Sequence, residues 1–511
     1  MKRFFMLATI FAMCILMCFC TNAAIIETGE CGENCVFIFD DEGHLIISGS
    51  GEMFLKDYYD YHFNKLFWDE NLFGNFDIKT VEIVDGVTSI SNYAFADCSN
   101  LESVIIPDSV SSIGTTAFSG CSSLKSIVIP ANVTKIESYT FFGCSAFEEI
   151  VIPDGVTSIG NSAFSGCSGL KSIVIPNSVT SIGARAFADC SNLESIVIPN
   201  SVTSVGDYAF SGCTSLKSIV IPDSITHLGD YAFNECTDLE SVALPGSITA
   251  IPSYAFYKCR HLKSVEIPDS VTYIGSYAFE NCILLESIVI PDGVTSIGSN
   301  AFSYCSSLKN IVISDSVTSI SDYVFNDCVG LESISLPDGV TSIGNAAFYK
   351  CSSLKSIIIP DGVTSIGSDA FYGCASLETV YYGSDEENWN EIEIENISNY
   401  PLLHAEKVFN YGFKDQDITE NSKDEKGSEV SDNSDNQNNI EVNRNLDDEK
   451  DEKSNITSKA QDSDKNEDGK SVKKDNSDSV LIIVVSVIAV LLAVIALILI
   501  PVVKKKNKKA E

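Results

Sequence analysis

The stretch Cys121–Pro130 reads CSSLKSIVIP, and Cys190–Pro199 reads CSNLESIVIP. In the first copy, alternation puts Ile127 and Ile129 on one face of an extended segment and Ser126 and Val128 on the other. Pro130 has no N–H to give to a ladder, so it ends the strand and opens a turn at Ala131-Asn132. So short an apolar face cannot be buried within its own segment. It needs a neighbour of the same kind.

The neighbours are supplied by repetition. Cys98, Cys121, Cys144, Cys167, Cys190, Cys213, Cys236, Cys259, Cys282, Cys305, Cys328, Cys351 and Cys374 recur every 23 residues without insertion or deletion. A phenylalanine precedes each by three residues, and a leucine follows each by three, except for Phe147. Val133 with Ile136, and Ala117 with Phe118, provide further inward pairs. This spacing predicts coils that bury their apolar sets against one another, with the strands in one long parallel sheet along the inner side. The consensus Leu-x-x-Ile-x-Ile-Pro-x-x-Val-x-x-Ile-Gly-x-x-Ala-Phe-x-x-Cys resembles the BspA-like, Treponema-type leucine-rich repeat, over residues 76–396. The resemblance implies an α/β-type solenoid dominated by β, a right-handed superhelix of 23-residue coils. It also implies a β-rich cap over residues 25–75, where Cys31, Cys35 and the Asp40-Asp41-Glu42-Gly43 turn lie, and a closing cap over residues 397–412. Val380 to Trp389 resembles the family's closing turn, and both tryptophans, Trp68 and Trp389, lie outside the regular coils.

Both ends carry membrane-related segments. Lys2 and Arg3, the apolar run Phe4–Phe19 and the small residues near Ala24 read as a secretory signal over residues 1–24. A lipoprotein signal at Cys18 or Cys20 competes, although Met17 and Phe19 are bulky for such a site. Val480 to Val503 is aliphatic except for Ser486 and Pro501, long enough for one transmembrane helix over residues 479–503. The lysines of residues 504–511 then form a short cytoplasmic tail. The polar stretch 413–478 has too few apolar residues to fold and reads as a disordered tether. The expected localisation is the cell surface, with the ectodomain outside.

Acidic residues outnumber basic ones 70 to 33, which disfavours nucleic acid as a partner. No cofactor is implied. The cysteines share one column and point the same way, so they read as buried thiols in place of a disulfide framework, with a bridge between Cys31 and Cys35 left open. No close Cys-x-x-Cys pairs suggest a metal site. His44, His62, His227, His261 and His404 stand in no motif with a nucleophile and an acid, so no catalytic residue is assigned.

What remains is surface. Ser126, Ser172, Ser195 and Ser218 run beside Val128, Val174, Val197 and Val220 on the outward strand face. This is either an exposed apolar stripe for a ligand or the ordinary preference of sheets for β-branched residues. A second candidate is Tyr257, Lys258, Arg260 and His261, a basic group in an acidic array, with Pro252 replacing the usual glycine nearby; drift on an exposed turn is the plain alternative. The residue after each leucine alternates in sign through Lys125, Glu148, Lys171, Glu194, Lys217, Glu240, Lys263 and Glu286, which reads as a structural charge ladder between coils. Together with the resemblance, these features predict an adhesin or recognition protein for host matrix, cell-surface or other macromolecules, protein or glycan. The competing reading is a surface-layer or spacer protein without a specific ligand.

Overall fold

The computed structural model describes residues 23–53, 77–395 and 397–412. Residues 1–22 of the expected signal segment, Trp68, the polar stretch and the aliphatic run Val480–Val503 lie outside the described residues. No helix among the described residues is long and apolar enough to cross a membrane.

Most coils contribute two short parallel strands; those of Ile127 and Val265 contribute only the second. The first carries the Ser-Ile-Val motif, as in Ser172–Val174, which pairs in register with Ser195–Val197: Ser on Ser, Ile on Ile, Val on Val. The second carries Thr-Ser-Ile, as in Ser181–Ile182, which pairs with Ser158–Ile159 on one side and Ser204–Val205 on the other. The solenoid therefore has two parallel ladders on two faces, where the sequence pattern suggested one sheet. The remaining side of the coil is turn, not helix. The only α-helices among the described residues are α1 (Glu386–Asn390) and α2 (Tyr400–His404), both beyond the regular coils. The α/β expectation gives way to an almost purely β solenoid because each turn segment holds two residues in left-handed conformation. Tyr208 (φ 59°) with Gly212 (φ 74°), and Tyr254 (φ 58°) with Lys258 (φ 59°), are examples. A right-handed helix cannot pass through such residues.

The core is a set of columns. Phe95 through Phe371 are buried and stack ring on ring, with centroids 5.2–5.9 Å apart. The cysteines are free thiols, buried except for the half-buried Cys98. They do more than fill space, because from Cys121 onward each Sγ–H donates to the carbonyl of the phenylalanine 26 residues earlier: Cys213 to Phe187 O at 3.2 Å, Cys236 to Phe210 O at 3.2 Å. Burial raises every thiol in the column, with Cys236 and Cys328 pushed up to about 12. Cys31 and Cys35 are also free and buried.

The ends are closed by different means. An antiparallel pair, β1 (Ile25–Glu30) and β2 (Cys35–Asp40), sits beside β3 (His44–Gly49), and β3 joins the first ladder in parallel at Thr80–Ile83. Every residue of β2 is buried, as a strand covering the end of a core must be. At the other end, Trp389 of α1 packs edge-on against Tyr382 at 5.2 Å, and Leu402 of α2 is buried. Glu393–Ile394 and Glu406–Val408 extend the second and first ladders respectively.

The second ladder is interrupted in the interior of the stack at three places: between Ser112–Ile113 and Lys135–Ile136, between His227–Leu228 and Ala250–Ile251, and between Ser296–Ile297 and Ser319–Ile320. In unbroken interior coils the residue after the second strand is glycine. Its N–H donates to the isoleucine carbonyl of the coil before, as in Gly160 to Ile136 (2.8 Å) and Gly206 to Ile182 (3.0 Å). A Cβ there would lie about 2.5 Å from the backbone of that earlier coil. At the interruptions the same position is Glu137, Pro252 and Ser321. Proline has no N–H to give, and Ser321 reaches the Ile297 carbonyl with its hydroxyl instead (2.6 Å). The end strands, followed by Ser91 and Glu395, meet irregular cap segments and are a separate case.

Candidate recognition surface

The 23-residue period gives Ser126, Ser172, Ser195 and Ser218 one exposed position in their coils and Val128, Val174, Val197 and Val220 another, and in-register pairing aligns Ser172 with Ser195 and Val128, Val151, Val174 and Val197 in succession. With Val151, these valines are 68–79% exposed, five coils in succession. Their isoleucine neighbours on the same strands are buried, so the exposure follows from the alternation of the strand, not from loose packing. Ala243 and Glu266 end the stripe, which resumes at Val289 and Val312.

The alternating charges border this face. Lys171 Nζ lies 3.2 Å from Glu148 Oε2, Lys263 Nζ 2.8 Å from Glu240 Oε2, and Lys355 Nζ 2.8 Å from Glu332 Oε2. The backbones of the column are bonded too, Glu194 N–H to Lys171 O (3.0 Å) and Glu286 N–H to Lys263 O (3.3 Å). Lys263 holds the Glu240 carboxyl below its ordinary range by hydrogen bond and charge. Lys125 and Lys217 occupy the same column.

Tyr257, Lys258, Arg260 and His261 are not on this face. They belong to the turn side of the coil, where Lys258 donates to Glu235 Oε1 at 2.7 Å and lies 5.0 Å over the Tyr257 ring. His261 Nδ1 is 2.8 Å from Thr237 O and 3.4 Å from Asp238, and Arg260 is exposed. Lys258 holds a left-handed backbone where Gly120, Gly143, Gly166 and Gly212 stand in other coils.

Sequence reasoning missed two features beside that group. Tyr208, Tyr231, Tyr254 and Tyr277 stack at 4.3–4.4 Å, closed at one end by Arg185 at 4.3 Å over Tyr208. The signal was present as Tyr-Ala-Phe in four consecutive coils. The second is Glu280, which is buried, with Oε2 unpartnered and Oε1 accepting only a 3.4 Å bond from Asn281. Burial raises its carboxyl from 4.5 to about 6, against the opposing pull of Lys258. A carboxyl raised on folding binds more protons in the folded state between those two values, so stability falls as pH rises from about 4.5 to about 6. Glu280→Gln is expected to remove this slope and to be more stable than the parent at pH 7, with little difference at pH 4. Urea denaturation across that range checks it.

The family model described as "BspA type Leucine rich repeat region (6 copies)" matches residues 68–194, 180–306 and 274–400. Among solved structures, a leucine-rich repeat protein from Bacteroides ovatus is 31% identical, with 74% of this chain and 98% of that chain covered and a TM-score of 0.56. A leucine rich cell surface protein from Faecalibacterium prausnitzii is 28% identical, covering 72% of this chain and 98% of that one, with a TM-score of 0.43. No curated protein matches at a significant level.

Proposed function

The chain belongs to the BspA-type leucine-rich-repeat family, and on that premise we propose that it is a cell-surface recognition protein that holds a macromolecular partner, an extracellular protein, against the Ser/Val face of its coils. One observation carries this reading. Five valines at the same position of consecutive coils are about three-quarters exposed, a cost in exposed apolar area that a contact surface would offset. Serine hydroxyls and paired charges border the stripe, which suits a face that is apolar along its centre and polar at its rim. The anchor in this reading is the aliphatic run Val480–Val503, and the ectodomain lies outside the cell.

The test is binding of the full chain to a panel of immobilised extracellular-matrix proteins, alongside Val174→Glu/Val197→Glu. Both substitutions lie on exposed positions, so the fold should survive them. Saturable binding by the parent that drops at least tenfold in the double variant supports the face as the site. The near-identity of neighbouring coils favours a second reading, an extended spacer. Absence of saturable binding across the panel would support it.

A further inference from the structure

At the interruption before Pro252, the second ladder opens into a cleft of about 250 Å³. It lies on the second-strand face, apart from the Ser/Val columns, and goes beyond the proposed function above. The outward residue of this ladder is serine in most coils: Ser158, Ser181 and Ser204 before the cleft, Ser296, Ser319 and Ser342 after it. Across the cleft the run is His227, Ala250, Tyr273 instead. Two exposed rings thus line the cleft with the small Ala250 between them, one paired step (Ala250 on Tyr273) and one open step apart, so no less than about 10 Å from the ordinary strand spacing. A saturated six-membered ring contacts a wall at about 3.5–4.0 Å on each face, so one such ring fills the space between them. The cleft is below the ~300–1,000 Å³ of drug-sized pockets, which also suits one ring.

The polar lining selects the kind of ring. Asp230 and Ser253 border the slot, and the Asp230 carboxylate is fixed by the Ser253 N–H (3.0 Å). Pro252 has no N–H to give the Leu228 carbonyl, whereas Gly229 gives one to Val205 and Gly275 to Ile251. The lining is therefore rich in acceptors and asks for a ligand rich in O–H donors. The acidic balance of the chain, 70 to 33, disfavours anionic sugars. The interruption at Ser321 is the internal contrast, because there the ladder opens between Ser296 and Ser319 and a ring, Tyr273, stands on one side alone, with Ser342 on the other.

We infer that the Pro252 cleft is a binding slot for a neutral hexopyranose unit, held between His227 and Tyr273 over Ala250. Saturation-transfer NMR on the full chain tests it, with the methyl glycosides of glucose, galactose, mannose and N-acetylglucosamine as probes. At least one should bind with Kd on the order of 1–10 mM, as a ligand of this size allows. Tyr273→Ser, which installs the residue of the following coil, Ser296, and leaves the fold intact, should weaken that binding about tenfold. Pro252→Gly, which restores the ladder and closes the slot, should abolish it. Absence of transfer to all four probes, or transfer undiminished in Tyr273→Ser, overturns the inference. So does binding of N-acetyl-tyrosinamide in their place, which would make the slot a peptide side-chain site.

Discussion

Phe210→Ala is expected to destabilise the centre of the stack by about 3–5 kcal/mol. Phe210 is fully buried and lies between two parallel rings, Phe187 at 5.6 Å and Phe233 at 5.5 Å. Its carbonyl also accepts the Cys236 thiol. Removing the ring leaves a cavity whose walls belong to three coils. Those walls are held by turn-side backbone bonds such as Phe210 N–H to Ala232 O (2.9 Å), so they cannot collapse inward without breaking bonds between coils. In a stack where each coil contacts only its neighbours, the loss should stay local. Hydrogen exchange read by mass spectrometry is the appropriate measurement, because a long array need not unfold in two states. Amides in the coils of Cys190 to Cys236 should lose protection by two to three orders of magnitude, while those near β2 and α2 keep theirs. Phe142→Ala is the control: Phe142 lies outside the column and is 41% exposed, so its loss should cost no more than about 1 kcal/mol. Equal effects of the two variants would contradict the account of the column as a continuous core.

The second large effect concerns a residue with no side chain. Gly206→Val would place a Cβ 2.5 Å from the Ala184 nitrogen, 2.7 Å from the Gly183 carbonyl carbon and 2.8 Å from Ala184 Cα. All three are backbone atoms, so no rotamer change relieves the contact. The coil must move, and with it the Gly206 N–H that donates to Ile182. The expected result is a fourth interruption of the second ladder, between Ser181–Ile182 and Ser204–Val205, at about 1–3 kcal/mol. The reverse substitution, Ser321→Gly, should close an existing interruption and slow exchange of the Thr318 amide. If Gly206→Val left exchange around Val205 unchanged, glycine would not be what keeps this ladder continuous.

These two positions mark what was and was not legible from sequence. The coil length, the inward isoleucines and the phenylalanine and cysteine columns follow from period and alternation alone, because every copy repeats the same apolar choice. The second ladder did not. Its strands are mostly two residues long, too short for alternation to register, and Thr-Ser reads equally well as turn. The turn side was misjudged for a related reason. A left-handed residue is recognisable when it is glycine, as at Gly212, but not when it is Tyr208 or Lys258, whose strain of about 1–2 kcal/mol is compensated by tertiary bonds. Among the candidate residues, alternation grouped the serines and valines on one face. It could not show that Tyr257 and Lys258 sit on another side, or that Pro252 interrupts a ladder. A lone proline in place of glycine looks like drift until the N–H it removes has an acceptor waiting.

The interruptions at Glu137, Pro252 and Ser321 acquire a different meaning for a molecule pulled lengthwise between two surfaces. A stacked solenoid carries tension through the hydrogen bonds that run from coil to coil; at the Glu137 seam neither ladder is paired, and at the Pro252 and Ser321 seams only the first is. Load at the latter two falls on the first ladder and on the turn-side bonds alone, so the coils between Thr226 and Thr249 are among those that should part first. Such a rod yields in blocks at fixed places, and the intact blocks between the seams keep their cores dry while it lengthens.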